Sequence, residues 1–257
     1  DFLENDQDID LQNLIMYIEN QKITSSKDDF RLFLLIISRI SNNHHRHAKF
    51  LSKIEQILIY FGEQMNKNFS NCEIFDIFKN NKKILLFLFE KKIITADIYI
   101  LKSIYTKKKS EIRDFTQFFY PEFKSVLESE KEGSLKLEET ILQLCNQNFD
   151  NFEEKRKNGE NDGYISELIR KDMYDKFSEY VNNTNLSPSS MIERSLFETN
   201  LFLLKEKETS LIEYAAFCGS IQTFKYLLLK NAELRPRLWL YAIHGQNSEI
   251  IHLLEEK

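Results

Sequence analysis

Apolar residues recur at helical spacing along most of this chain. Leu11, Leu14, Ile15 and Ile18 fall at i, i+3, i+4 and i+7, with Asp8 or Asp10 placed to cap a first helix. Ser26-Lys-Asp-Asp29 resembles a capping box and opens a second helix, striped by Phe30, Phe33, Leu34, Ile37 and Ile40. Leu32, Leu35 and Ile36 widen that stripe until the helix is apolar on most sides, which predicts a central position. Phe50, Ile54, Ile57, Leu58 and Phe61 mark a third helix ending near Gly62, and Ile74, Phe75, Ile77 and Phe78 fit a short fourth. The apolar run Ile84–Phe89 fits either a buried strand or a helix; helix is the reading, because no other segment offers a strand to pair with. Thr95 is placed to cap a helix carrying Ile98, Leu101, Ile104 and Tyr105, with Lys107–Lys109 at its negative end. Pro121, after Tyr120, starts a new turn or helix.

Polar stretches punctuate this pattern. Glu128–Lys136 reads as a linker, Leu137, Ile141, Leu142 and Cys145 as one more helix, and Glu153–Gly163 as a solvated loop or frayed helix end. Then two similar stretches follow. Leu211-Ile-Glu-Tyr-Ala-Ala-Phe-Cys-Gly219 runs on to Leu227-Leu228, and Leu238-Trp-Leu-Tyr-Ala-Ile-His-Gly245 runs on to Leu253-Leu254. Aligned on their glycines, the copies are 26 residues apart. Such spacing marks a repeated helix–turn–helix unit, which cannot bury its apolar face alone and must stack on its neighbours.

The stretch Leu211–Leu234 resembles an ankyrin repeat. Ser210-Leu-Ile-Glu-Tyr-Ala-Ala216 stands where that family has Thr-Pro-Leu-His-x-Ala-Ala, Gly219 at the turn between helices, and Asn231-Ala-Glu-Leu234 for Gly-Ala-Asp-Val. The second copy matches less well, with Tyr241, Trp239 and Pro236 replacing the first Ala, the His and the Thr. It is also shorter than the family's repeat of about 33 residues. The shortfall lies between Leu234 and Leu238, where the family carries a projecting hairpin, so the hairpin is absent or the stack irregular. A looser match upstream puts Asp172 in the glycine's place, with Phe177, Tyr180 and Val181 behind it and an insertion around Ser187-Pro188. The whole arrangement resembles the large ankyrin-repeat families of protist parasites, in which a helical domain of unknown function precedes the repeats.

Together these readings predict an all-α protein. Residues 1–128 form an irregular helical domain, 129–163 a charged linker with a linking helix, and 164–257 about three ankyrin-like helix pairs in a short solenoid. The resemblance implies a non-catalytic module that presents a concave helical surface to a protein partner. The two residues before each glycine tend to face that surface in ankyrin stacks, which nominates Phe217, Cys218, Ile243 and His244. Trp239 joins them as an exposed hot spot, or else fills the gap left by the hairpin.

Composition supports this. Six glycines and three prolines in 257 residues leave little room for tight turns and favour long helices. They also argue against glycine-rich loops that cradle phosphates, and no nucleotide-binding, metalloprotease or nucleophile-elbow motif occurs. We therefore expect no catalytic residues, cofactor or small-molecule substrate. A net charge of −5 gives no general drive toward nucleic acid or anionic lipid. The longest apolar runs, Leu32–Ile37 and Ile84–Phe89 among them, are six residues each, too short to span a bilayer. Cys72, Cys145 and Cys218 lack CxxC spacing, which points to a reducing, intracellular and cytoplasmic setting rather than a disulfide framework or zinc site. His44, His45 and His47 cluster without a carboxylate or thiol close in sequence, so a polar connection between helices is preferred to a metal or pH-sensitive site. Cys218 and His244 stand at matching places in the copies, but a nucleophile also needs an orienting group and an oxyanion pocket, and neither is announced. Two other readings remain open: a nucleic-acid-associated helical protein using its Lys/Arg-rich helices, or a segment that only caps a longer repeat array. The chain stops just after Leu254 in mid-pattern, and we read it as a piece of a longer protein.

Overall fold

The structure, a computed structural model, describes residues 8–43, 48–105, 109–129, 150–206 and 208–256. Seventeen α-helices and one 3-10 turn account for the regular structure, with no β-strand among the described residues. An isolated antiparallel bridge joins Met191 to Ser210. No described helix is long and apolar enough to cross a membrane. The chain divides into two compact units, residues 1–159 with 199–201, and residues 160–198 with 202–257. His44, His45 and His47, Lys107 and Lys108, most of the Glu128–Lys136 linker and the helix expected over Leu137–Cys145 lie outside the described residues.

The first unit contains α1 (Asp8–Asn20), α2 (Lys27–Asn43), α3 (Ala48–Tyr60), α4 (Gly62–Asn68) and α5 (Asn71–Phe78). It continues with α6 (Lys82–Glu90), α7 (Ile98–Tyr105), α8 (Lys109–Phe118), α9 (Tyr120–Ser129) and α10 (Phe152–Asn158). Its core is a run of phenylalanines in offset and edge contacts. Phe30 meets Phe61 and Phe69 with ring centroids 6.1 and 5.6 Å apart, and Phe115 meets Phe75 and Phe119 at 5.7 and 4.6 Å.

The buried centre is α6, whose residues Ile84–Phe89 are all buried. The short run is therefore a helix, and it is apolar on every side because it is covered on every side. Asn81 starts it, accepting from Ile84 N–H (3.0 Å) and donating to Ser41 Oγ (2.5 Å) on α2. The expectation of a central α2 is corrected. Leu32, Leu35 and Ile36 are exposed, and α2 buries only Phe30, Leu34 and Ile37 with Ser38 and Ser41. A second correction concerns the start of α7: Asp97, not Thr95, caps it, accepting from the N–H groups of Tyr99 (2.9 Å) and Ile100 (2.8 Å). A third concerns α10, in the stretch read as solvated. Arg156 there is buried, making a bidentate pair with Glu122 (2.7 and 2.9 Å) and donating to the Phe118 carbonyl oxygen (3.0 Å). Ser26, by contrast, caps α2 as expected by accepting from Asp29 N–H at 3.3 Å.

The second unit contains α11 (Tyr164–Arg170), α12 (Tyr174–Thr184), the five-residue α13 (Leu201–Lys205, Leu201 counting with the first unit), α14 (Leu211–Cys218), α15 (Ile221–Leu229), α16 (Leu238–Gly245) and α17 (Ser248–Glu255). Three helix pairs follow one another: α11 with α12, α14 with α15, and α16 with α17. Their first helices pack as α11 on α14 and α14 on α16, and their second helices as α12 on α15 and α15 on α17. The result is two layers of helices, with Ala215, Ala216, Leu227, Tyr241, Ala242 and Ile250 among the residues buried between them. No hairpin forms in residues 230–237, which join α15 to α16.

Candidate functional site

Two helices can approach closely only where side chains are small, and the contact between α14 and α16 is built that way. Gly245 is the last residue of α16, and a Cβ built there would run into the carbonyl oxygen of Ala216 on α14. Gly219, in contrast, caps α14 at φ +68°. The residue in that left-handed conformation after α16 is Gln246, at φ +52°. The helices thus align Leu211 with Leu238, Tyr214 with Tyr241 and Ala215 with Ala242, a register of 27 residues. The 26-residue alignment on the glycines is corrected: Gly219 frees a turn, and Gly245 admits a neighbouring backbone.

The turns within each pair bind back to the pair before. Asp172, itself at φ +47° in the glycine's place, accepts from the N–H groups of Gln222 (3.0 Å) and Thr223 (2.9 Å), so it caps α15 from the preceding pair. Ser220 Oγ donates to the Ile169 carbonyl oxygen (2.6 Å), and Asn247 Nδ2 donates to that of Gly219 (2.9 Å). A buried ion cluster adds a second tie. Glu213 forms a capping box with Ser210 and pairs with both Arg235 and Arg237 (Arg237 Nε to Oε1, 2.9 Å) from the segment entering α16. Arg237 also reaches Glu206 (2.9 Å), and its hydrogen bond to Glu213, the largest influence, raises its pKa.

The five nominated residues do not share one environment. Phe217 and Cys218 are buried, His244 is half-buried, and Trp239 and Ile243 are exposed. Phe217 and His244 are brought together, ring centroids 5.9 Å apart, and both lie against Phe202 of α13, at 5.9 and 4.2 Å. Tyr241 closes this cluster from beneath, 4.8 Å from Phe202, and its hydroxyl shares a hydrogen bond with Thr209 (3.2 Å). Burial lowers the His244 pKa, because imidazolium loses hydration there. Tyr214 is pushed far up, first by burial and then by the nearby Cys218 and Glu198; its hydroxyl accepts from Arg170 Nη1 at 3.1 Å.

Periodicity did not nominate Phe202, although the apolar run Leu201–Leu204 is a visible signal of a segment seeking cover. The signal for Glu213 is Ser210-x-x-Glu213 before an apolar run, a helix-start signature. No group of three or more His, Cys, Asp or Glu side chains able to hold a metal ion occurs among the described residues. No family model, curated protein or solved structure matches the chain. The site thus consists of packed rings, capped turns and a half-buried imidazole next in sequence to exposed Ile243.

Proposed function

We propose that residues 164–257 are an ankyrin-like solenoid acting as a non-catalytic protein-binding module inside the cell. The supporting observation is the two-layer packing of three successive helix pairs, with small residues where α14 and α16 meet. Stacked units of this kind offer a continuous side surface on which adjacent repeats contribute matching positions. Here that surface runs along half-buried Phe202 and His244, with Phe217 buried against both rings, and reaches solvent at Ile243. Such a site holds a partner by apolar and aromatic contact, with the imidazole available for one hydrogen bond.

Capture from a lysate of the cells that express the protein tests this. The intact chain and an Ile243→Ala/His244→Ala variant are compared, with far-UV circular dichroism confirming that the variant is folded. Partners retained by the intact chain and lost by the variant are expected; equal recovery of every partner removes the surface from consideration. Retention on heparin that weakens steeply with salt would favour nucleic-acid binding instead.

A further inference from the structure

Phe202 lies across the stack as a bound ligand would. In the 27-residue register Phe217 and His244 are equivalent positions of successive pairs, and the Phe202 ring touches both. It is parallel to Phe217 (centroids 5.9 Å apart, planes at 5°), 4.2 Å from His244 and edge-on to Tyr241 at 4.8 Å. Yet α13, which carries this ring, belongs to none of the three helix pairs. It has five residues, too few to hold helical form without support. Each of the other six helices of this unit buries two or more residues. Helix α13 buries none, and its four apolar side chains are only half-buried. Beneath it Phe217 and Tyr241 are buried. The recess is well packed; its occupant is not.

We infer that α13 is a strap over the module's own docking recess, and that the partner segment replacing it is a short apolar helix with an aromatic ring in the place of Phe202. This rests on the protein-binding reading and names the segment that the surface takes. Helix α13 displays the chemistry that fits: one ring against an aromatic floor, followed by Leu203 and Leu204 on a single helical turn. The chain is held on both sides of it. Ser195 Oγ donates to Asp162 (2.7 Å), and Arg194 and Arg237 donate to the Glu206 carbonyl oxygen and carboxylate (2.9 Å each). Opening is therefore confined to the segment between these ties. Melting a five-residue helix frees about 9 Å of chain, which carries a ring out of the recess. Elements that open locally are those with the least buried apolar surface, and in this unit that element is α13.

A fluorescein-labelled peptide with the sequence of residues 200–206 is the probe, titrated by fluorescence anisotropy against the full chain and its Phe202→Ala variant. The variant should bind it about tenfold or more tightly than the intact chain, whose recess is free only while the strap is open. The same peptide with alanine for its phenylalanine should bind neither. Native-state hydrogen exchange of the intact chain needs no variant: α13 amides should exchange about a hundredfold or more faster than those of α14 and α16. Equal affinity of the peptide for both chains overturns the inference. So does a folded Phe202→Ala chain that does not bind it, or α13 exchanging in step with α14. If far-UV circular dichroism shows Phe202→Ala unfolded, the exchange result decides. Ile243 and His244 are unaltered here, so failure of this test leaves partners captured from lysate standing. Failure of that capture leaves the peptide result to stand by itself.

Discussion

Gly219 closes α14 at φ +68°, whereas Gly245 ends α16 with its bare Cα against the Ala216 carbonyl oxygen. Substitution should separate these two roles. Gly219→Ala places a side chain in the left-handed region and should cost about 1–2 kcal/mol. Gly245→Ala forces backbone against backbone and should cost about 3 kcal/mol or more. Urea unfolding midpoints measure both, and a larger loss for Gly219→Ala would contradict the close approach. His244 gives a pH-dependent counterpart. Burial lowers its pKa, so the folded state binds a proton less readily than the unfolded chain does. Its effect on stability should be absent above the ordinary imidazole range and grow as pH falls through that range toward the lowered value. Thermal unfolding should therefore show a steeper acid loss for the parent chain than for His244→Phe, which keeps a ring against Phe202. Identical pH profiles would remove the buried imidazole as the cause. The role of His244 was half legible in the sequence: repetition nominated it, but nothing local showed that Phe202 lies on its face.

Helix boundaries follow local chemistry, and the sequence showed them wherever one candidate cap stood alone. Ser26 is such a case. At α7, Thr95 and Asp97 compete, and the carboxylate two residues closer reaches the free N–H groups. Which helix is central was not legible, since α2 and α6 each carry a six-residue apolar run. Burial on all sides depends on neighbours distant in sequence, and the polar contact of Asn81 with Ser41 gives α6 that place. Between elements, Asp172 should matter more than an exposed turn residue ordinarily does. Asp172→Ala removes three hydrogen bonds to Gln222 and Thr223 and should cost about 2 kcal/mol; Asp172→Asn, which keeps an acceptor, should cost less. Equal losses in thermal unfolding would mean that the cap across pairs contributes nothing. The Glu213 cluster makes a sharper test. Replacing Arg235 and Arg237 together by Met strands a buried carboxylate and should cost about 3–5 kcal/mol. Glu213→Gln leaves two partly exposed cations that can turn to water, and should cost less. The reverse order in denaturant unfolding would show that the carboxylate is not held by these arginines.

For the molecule as a whole, helical class and the existence of a repeat could be read from periodicity, because Leu, Tyr-Ala and Leu recur in both copies. The register could not. Ala215 and Ala216 offer two alignments to the single Ala242, and matching the glycines selects the one that the backbone rejects. A glycine kept for close packing and a glycine kept for positive φ look the same in a sequence. The account rests on α16 lying against α14 in the 27-residue register. Nuclear Overhauser effects in a chain labelled at glycine and alanine test it most directly. Strong cross-peaks from the Gly245 α-protons to the backbone of Ala216 and Phe217 are predicted. Their absence, with Gly245 instead showing the contacts of an isolated turn, would contradict the stacked arrangement.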